Sequence, residues 1–114
     1  MDVVIELTDI TSTGLSVSLI NNTNKQFIYG EEFALYRYVS GDWEKVDYII
    51  DDWGFILIGY TLNPYAISDI RSIDWEWLYG TLDKGIYRFN IEILDWRAPG
   101  DFDALPLYSV FAVE

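Results

Sequence analysis

The sequence predicts an all-β protein in which two antiparallel sheets pack as a sandwich of about eight strands. Apolar and polar residues alternate with a period of two in segment 15–19, where Leu and Val alternate with Ser, and again in segment 87–93. Such alternation is typical of strands that bury one face and expose the other. Turn-forming residues separate the β-rich runs at intervals of roughly 8 to 12 residues, which is the spacing of a two-sheet sandwich.

Six further β-rich runs complete the predicted strands. They are 3–8, 33–39, 43–48, 55–62, 67–73 and 107–113. The sequence Ser-Gly-Asp at 40–42 lies between two of these runs and predicts a tight hairpin, because such turns need residues that tolerate a positive φ. Segment 74–79 predicts at most one short helical turn, which Asp74 would cap and Gly80 would end.

The length of 114 residues predicts a single domain, 1–114, with one hydrophobic core. Hydrophobic residues make up 51% of the chain, and a domain of this size can fold without disulfides or a structural metal. The alternating segments indicate which side chains point between the sheets. The predicted core comprises Leu15, Val17, Leu19, Leu35, Tyr87, Phe89, Ile91, Ile93 and Phe111.

The composition excludes several classes of function. Cys and His are both absent, which removes thiol nucleophiles, thiolate or imidazole metal sites and every catalytic triad that uses His as base. A net charge of −12 repels phosphates and anionic lipid surfaces, and no apolar run is long enough to cross a membrane. We therefore expect no enzyme, no cofactor, no direct binding of nucleic acid and no membrane span.

Segment 83–87 reads Asp-Lys-Gly-Ile-Tyr, which is the D-x-G-x-Y spacing of the tyrosine corner of immunoglobulin-like sandwiches. In that corner the tyrosine hydroxyl folds back to the backbone a few residues upstream, where the chain crosses between sheets. Two residues after the tyrosine an antibody domain has its second disulfide cysteine, and this chain has Phe89. We expect packing to replace the disulfide.

Further short motifs carry a resemblance over nearly the whole chain. They are Thr13-Gly14-Leu15, Asn21-Asn22, Tyr29-Gly30-Glu31 before Leu35, Gly41-Asp42-Trp43, Asp74-Trp75 with Tyr79-Gly80, and segment 82–88. The sequence resembles the bacterial immunoglobulin-like domains of Gram-positive surface lipoproteins and envelope proteins. The resemblance implies an immunoglobulin-like fold, an extracellular or cell-envelope location and no catalytic residue. Segment 1–6 lacks the features of a signal peptide and no lipidation Cys is present, so a cytoplasmic location stays open.

Binding of a protein or a glycan partner by a monomer, through exposed loops or a sheet face, is the function that we expect. Trp53 and Trp96 each follow an Asp near a predicted turn, where side chains are free of the core. Exposed aromatic rings with an acidic rim form a typical contact surface. The candidate partner-binding residues are Trp53, Trp96 and Phe102, with Asp51, Asp52 and Asp101 as the rim.

Two other interpretations of the acidic residues stay open. Asp95, Asp101 and Asp103, with the pair at 51–52, could converge on Ca²⁺, but no calcium-binding loop motif is present and we expect no metal site. The charge is also consistent with an intracellular inhibitor that occupies a basic, nucleic-acid-binding site on a partner. Such a mimic would concentrate its acidic residues along one face.

Overall fold

A computed structural model describes residues 2–55 and 58–114 of the chain. Within these residues, nine strands form two antiparallel sheets, and one helical turn lies between the seventh and eighth strands in the sequence. The elements are β1 (Val3–Thr8), β2 (Gly14–Asn21), β3 (Phe27–Tyr29), β4 (Ala34–Val39), β5 (Asp42–Lys45), β6 (Tyr60–Leu62), β7 (Arg71–Asp74), α1 (Glu76–Tyr79), β8 (Gly85–Ala98) and β9 (Asp101–Val113). The predicted two-sheet sandwich is confirmed.

Strand β8 organises the larger sheet. The smaller sheet has the order β1-β2-β7, and the larger one contains the other six strands. β9 pairs with β8 along its whole length, from Gly85 opposite Val113 to Ala98 opposite Asp101. Because a strand has only two edges, β4 and β3 share the opposite edge of β8, with β5 beyond β4 and β6 beyond β3.

Most predicted strands lie where the sequence puts them, and their ends differ. β1 matches segment 3–8, whereas β7 occupies only the second half of segment 67–73. β6 covers the end of segment 55–62, of which 56–57 lie outside the described residues. β9 begins at Asp101, earlier than the predicted 107. β3 was not predicted, because three residues are too few to establish an alternating pattern.

Side chains from both sheets meet in one core. Eight of the nine predicted core residues are buried, and Ile91 is half-buried. Phe89 has no exposed surface, and its ring stacks on Phe33 with the centroids 5.3 Å apart. The expectation of a polar, solvent-facing row of serines in segment 15–19 is wrong for Ser16. Its side chain is buried, and its hydroxyl lies 3.4 Å from that of Ser72, because the two serines are directly opposite each other on the paired strands β2 and β7.

The tyrosine corner is confirmed. The hydroxyl of Tyr87 donates a hydrogen bond of 2.7 Å to the backbone carbonyl of Asp83, four residues upstream. Arg37 lies over the ring at 5.7 Å and donates to the backbone carbonyl of Lys84. Burial raises the pKa of Tyr87, and the nearby positive charge of Arg37 opposes that change. The corner therefore fixes the start of β8 against the loop that leads into it.

The predicted turns also form. Ser40 and Gly41 both have positive φ, as a two-residue hairpin between β4 and β5 requires. The helical turn α1 ends at Gly80, which has a φ of 73°. The prediction that Asp74 caps α1 is wrong: the N-cap residue is Trp75, without a side-chain cap, and the carboxylate of Asp74 accepts a hydrogen bond from the backbone N–H of Glu76, the first helical residue. Among the described residues, no helix has the length and apolar character needed to cross a membrane.

We predict that Tyr87→Phe lowers the free energy of unfolding by about 1 to 2 kcal/mol, because the backbone carbonyl of Asp83 loses its donor. Because the pKa of Tyr87 is raised, folding favours its neutral phenol over the phenolate. The stabilisation from Tyr87 is therefore fully present below about pH 10, the pKa of an unfolded tyrosine, and is lost as the pH rises through the folded-state pKa. Urea unfolding between about pH 8 and 11 should therefore show a smaller alkaline loss of stability in Tyr87→Phe than in the wild type. Tyr65→Phe, at an exposed position, is the control. An equal alkaline loss in Tyr87→Phe and the wild type would contradict the prediction.

Candidate functional site

The outward side of β9 is apolar along its whole length. Phe111 and Val113 point into the core, so the alternate residues point outward. Those outward residues are Phe102, Ala104, Pro106, Tyr108, Val110 and Ala112. Tyr108 and Val110 remain 60% and 53% exposed. An apolar strand side that faces solvent indicates a surface that a partner can cover.

The neighbouring strands extend this surface across the larger sheet. On β8, Arg88 lies opposite Val110 and Trp96 opposite Phe102. On the other side of β8, Arg88 lies opposite Tyr36 of β4. We call the outer surface of this sheet the aromatic face; it comprises Tyr36, Tyr38, Trp43, Arg88, Trp96, Phe102, Tyr108 and Val110.

Arg88 lies among three aromatic rings of the aromatic face. Its guanidinium carbon is 4.7 Å from the ring centroid of Tyr108, 5.0 Å from that of Tyr36 and 5.1 Å from that of Trp43. All three distances are within the range of cation–π attraction. The Nε–H of Arg88 donates a hydrogen bond of 3.1 Å to the side-chain oxygen of Asn90. These contacts hold the guanidinium in one orientation on a rigid sheet.

Arg88 and Lys45 carry positive charge that the chain's own carboxylates leave unpaired. Of the seven basic residues, Lys25, Arg37, Arg71 and Arg97 form ion pairs. In the described part of the chain, Lys45, Lys84 and Arg88 have no carboxylate oxygen within 4.0 Å. The Lys45 ammonium lies 5.3 Å from the ring centroid of Tyr48. Lys45 and Arg88 therefore place two positive charges near Tyr36 on a domain whose net charge is −12.

A groove of about 790 Å³ lies beside Arg88 on the same side of the larger sheet. Its lining includes Ala34, Tyr36 and Asn90 from the sheet, the side chains of Lys45 and Tyr48, and three acidic residues, Glu31, Glu32 and Glu92. Tyr36 and Asn90 thus line the groove and also contact Arg88. The groove and the guanidinium therefore form one continuous surface.

Two of the three aromatic residues that the sequence nominated lie on the aromatic face. The rings of Trp96 and Phe102 stack 5.3 Å apart with an angle of 10° between their planes, and both side chains are exposed. They are near the tip of the β8–β9 hairpin, about 26 Å along β8 from Arg88. Asp101, from the predicted rim, pairs with Arg97 at 3.1 Å beside them.

Trp53 lies in a separate group of rings. It is half-buried and contacts Tyr48, Phe55 and Trp77 at centroid distances of 4.4, 5.0 and 6.1 Å. Asp51 and Asp52 are exposed in the preceding turn. In the described residues no ring pair joins Trp53 to Trp96. Trp53 instead supports Tyr48 and Phe55, which border the groove.

The carboxylates considered for calcium do converge, and they converge on Arg97. The Arg97 guanidinium lies 3.1 Å from Asp101, 3.1 Å from Asp103 and 3.5 Å from Asp95. Hydrogen bonding to Asp101, supported by Asp103, raises the pKa of Arg97. The positive charge occupies the position between the carboxylates that a cation would need. Over residues 2–55 and 58–114, no group of side chains has the arrangement of a metal site.

A second cavity, of about 220 Å³, opens between the two sheets. Its lining includes three polar side chains, those of Glu31, Tyr60 and Arg71. Glu31 pairs with Arg71 at 2.7 Å and accepts a hydrogen bond of 2.7 Å from the hydroxyl of Tyr60. This hydrogen bond to Glu31 raises the pKa of Tyr60. Arg71 and Tyr60 thus both bind the carboxylate of Glu31, which stabilises the wall of the cavity.

Comparison with known proteins identifies the family. The profile of the bacterial Ig-like domain family matches residues 1–104. The chain belongs to this family. Bacterial Ig-like domains are typically non-catalytic modules and commonly occur in extracellular proteins. Searches of curated proteins and of solved structures each found no match.

The sequence analysis missed the centre of the aromatic face. Tyr36, Trp43, Arg88 and Tyr108 were not nominated. A usable signal exists in segment 104–113, where both alternating sets of residues contain apolar side chains. Such a strand is typical of one that is covered on both sides.

We predict that Ca²⁺ does not stabilise the domain, because the guanidinium of Arg97 already lies between Asp95, Asp101 and Asp103, where the cation would have to bind. The melting temperature in millimolar Ca²⁺ should equal that in EDTA to within about a degree, since only a ligand that binds the folded state raises it. Mg²⁺ at the same ionic strength controls for screening of the net charge. A rise of several degrees that is specific to Ca²⁺ would contradict the prediction.

Proposed function

We propose that this domain is a non-enzymatic interaction module of the cell envelope that binds a protein partner through the aromatic face. The observation that carries the proposal is Arg88, which three rings orient on an exposed sheet and which has no carboxylate partner among residues 2–55 and 58–114. Arg, Tyr and Trp are the residues that dominate the binding energy of protein interfaces. Here they lie together at the middle of one surface.

The chemistry of β9 favours a protein over a glycan. Sugars present many hydroxyl groups, each of which needs a hydrogen-bonding partner when the contact excludes water. Along the outward side of β9, Ala104, Pro106 and Val110 offer only apolar surface. The core of a protein interface is depleted of charged residues and rich in aromatic ones, which fits this surface.

The alternative of an acidic inhibitor of a nucleic-acid-binding protein has less support. A mimic of nucleic acid needs a row of unpaired carboxylates to replace the phosphates. Arg97 pairs with Asp95, Asp101 and Asp103, and Arg71 pairs with Glu31. Fourteen of the nineteen acidic side chains make no ion pair in the described residues, so the case against a mimic rests on the aromatic face, which has the guanidinium of Arg88 at its centre where a mimic would need a carboxylate.

Affinity capture from the envelope fraction of the source bacterium tests the proposal. Partners retained by the wild-type domain should be lost with Tyr108→Ala, with affinity at least about tenfold lower, because a ring at the centre of the face is removed. Trp96→Ala should weaken capture to a smaller extent. Trp53→Ala removes the ring that contacts Tyr48 and Phe55, so weaker capture by this variant would show that the border of the groove contributes to binding. Val4→Ala, at an exposed position on the smaller sheet, is the matched control and should retain every partner.

The folded state of each variant is checked by its circular dichroism spectrum and its melting temperature. Capture that is unchanged in both Tyr108→Ala and Trp96→Ala would overturn the aromatic face as the binding surface. Binding to a glycan array that depends on Tyr108 would keep the surface and replace the class of partner. Hydrolysis of a substrate by the purified domain would overturn the non-enzymatic assignment.

A further inference from the structure

We infer that the partner presents the carboxylate of an Asp or Glu side chain to Arg88. This inference rests on the proposed function, because it concerns what happens to Arg88 when a protein covers the aromatic face. Arg88 is half-buried in the domain by itself, so water still reaches its guanidinium. A partner seated on Tyr108 and Val110 would remove that water.

A guanidinium that loses its water needs a negative charge or several acceptors in return. Burial of an unpaired charge is strongly unfavourable, and the attraction of aromatic rings replaces only part of the lost hydration. Within the described residues, the domain supplies a single hydrogen-bond acceptor to Arg88, the side-chain oxygen of Asn90. In that part of the chain, no carboxylate lies within 4.0 Å of the Arg88 guanidinium. The remaining partner group must therefore come from the bound protein.

The geometry of Arg88 selects a carboxylate. The hydrogen bond to Asn90 uses the Nε–H, which leaves the terminal NH₂ groups for a ligand. These groups form a planar fork that matches the two oxygens of a carboxylate. The rings of Tyr36, Trp43 and Tyr108 hold the fork in place, so little side-chain entropy is lost when the ligand binds.

The net charge of the domain limits what kind of acidic partner can bind. A charge of −12 repels a strongly acidic protein at long range. Lys45, which has no ion-pair partner in the described residues, adds positive charge beside Tyr36, but Glu31, Glu32 and Glu92 line the same groove, so only the immediate surroundings of Arg88 favour a carboxylate. The partner therefore carries one or a few carboxylates at the contact, on a protein that is not strongly acidic overall.

Selection of a random phage-displayed peptide library tests the inference with a defined probe. Peptides are selected on the wild-type domain, and those that fail to bind Tyr108→Ala are taken as ligands of the aromatic face. Despite the repulsion by the domain, these peptides should be enriched in Asp or Glu. Their affinity should fall at least about tenfold on Arg88→Gln and partly on Arg88→Lys, which keeps the charge but loses the planar fork.

Lys84→Gln is the matched control, because Lys84 is also without an ion-pair partner but lies in the loop before β8. It should leave the affinity of every selected peptide unchanged. A second control replaces the acidic residue of a selected peptide by its amide, Asp by Asn or Glu by Gln, which should remove the difference between wild type and Arg88→Gln.

The outcomes separate the inference from the proposed function. If the selected peptides require Tyr108 but lack acidic residues, or bind Arg88→Gln as tightly as the wild type, the inference that the partner presents a carboxylate is wrong. The proposal that the aromatic face binds a protein would then still stand. A library that yields no peptide dependent on Tyr108 would overturn both. If no Tyr108-dependent peptide is found but acidic glycans bind in an Arg88-dependent manner, Arg88 is still the site of carboxylate binding. The proposal of a protein partner would then be wrong.

Discussion

The alternation of side chains along β8 is the constraint on which the rest of the structure depends. Tyr87, Phe89 and Ile93 point into the core and are buried to the last few per cent of their surface. A slip of one residue would expose all three, so the register of β8 is fixed by the hydrophobic effect. The same register places Arg88 and Asn90 on the outer surface, between β4 and β9. Packing on one side of the strand thus positions the candidate site on the other.

The aromatic face is distinguished by the surroundings of Arg88. On most of this acidic domain a basic side chain finds a carboxylate, as Arg97 and Arg71 do. Arg88 finds aromatic rings contributed by three other strands, so its charge is held in place without being neutralised. A rigid sheet and an oriented guanidinium reduce the entropy that binding must overcome. These features are the basis on which we propose the aromatic face as a recognition surface.

Features that depend on neighbouring residues in the chain were predictable from the sequence. The tyrosine corner, the hairpin at 40–42 and the alternation in segment 87–93 all follow local rules, and each is present. The cluster around Arg88 brings together β4, β5, β8 and β9, and its formation depends on sheet register that no local pattern specifies. For the same reason the sequence nominated Trp53 and Trp96 together, although Trp53 packs beside Tyr48 and Trp96 beside Phe102.

The proton chemical shifts of the Arg88 side chain test most directly the claim that β8 holds a cation against aromatic rings. Three rings within about 5 Å should move the δ-methylene and Nε–H resonances of Arg88 upfield of their values in an unfolded peptide. The Tyr108→Ala variant should move them part of the way back. Resonances at unfolded-peptide positions in the folded wild-type domain would contradict both the register of β8 and the aromatic face built on it.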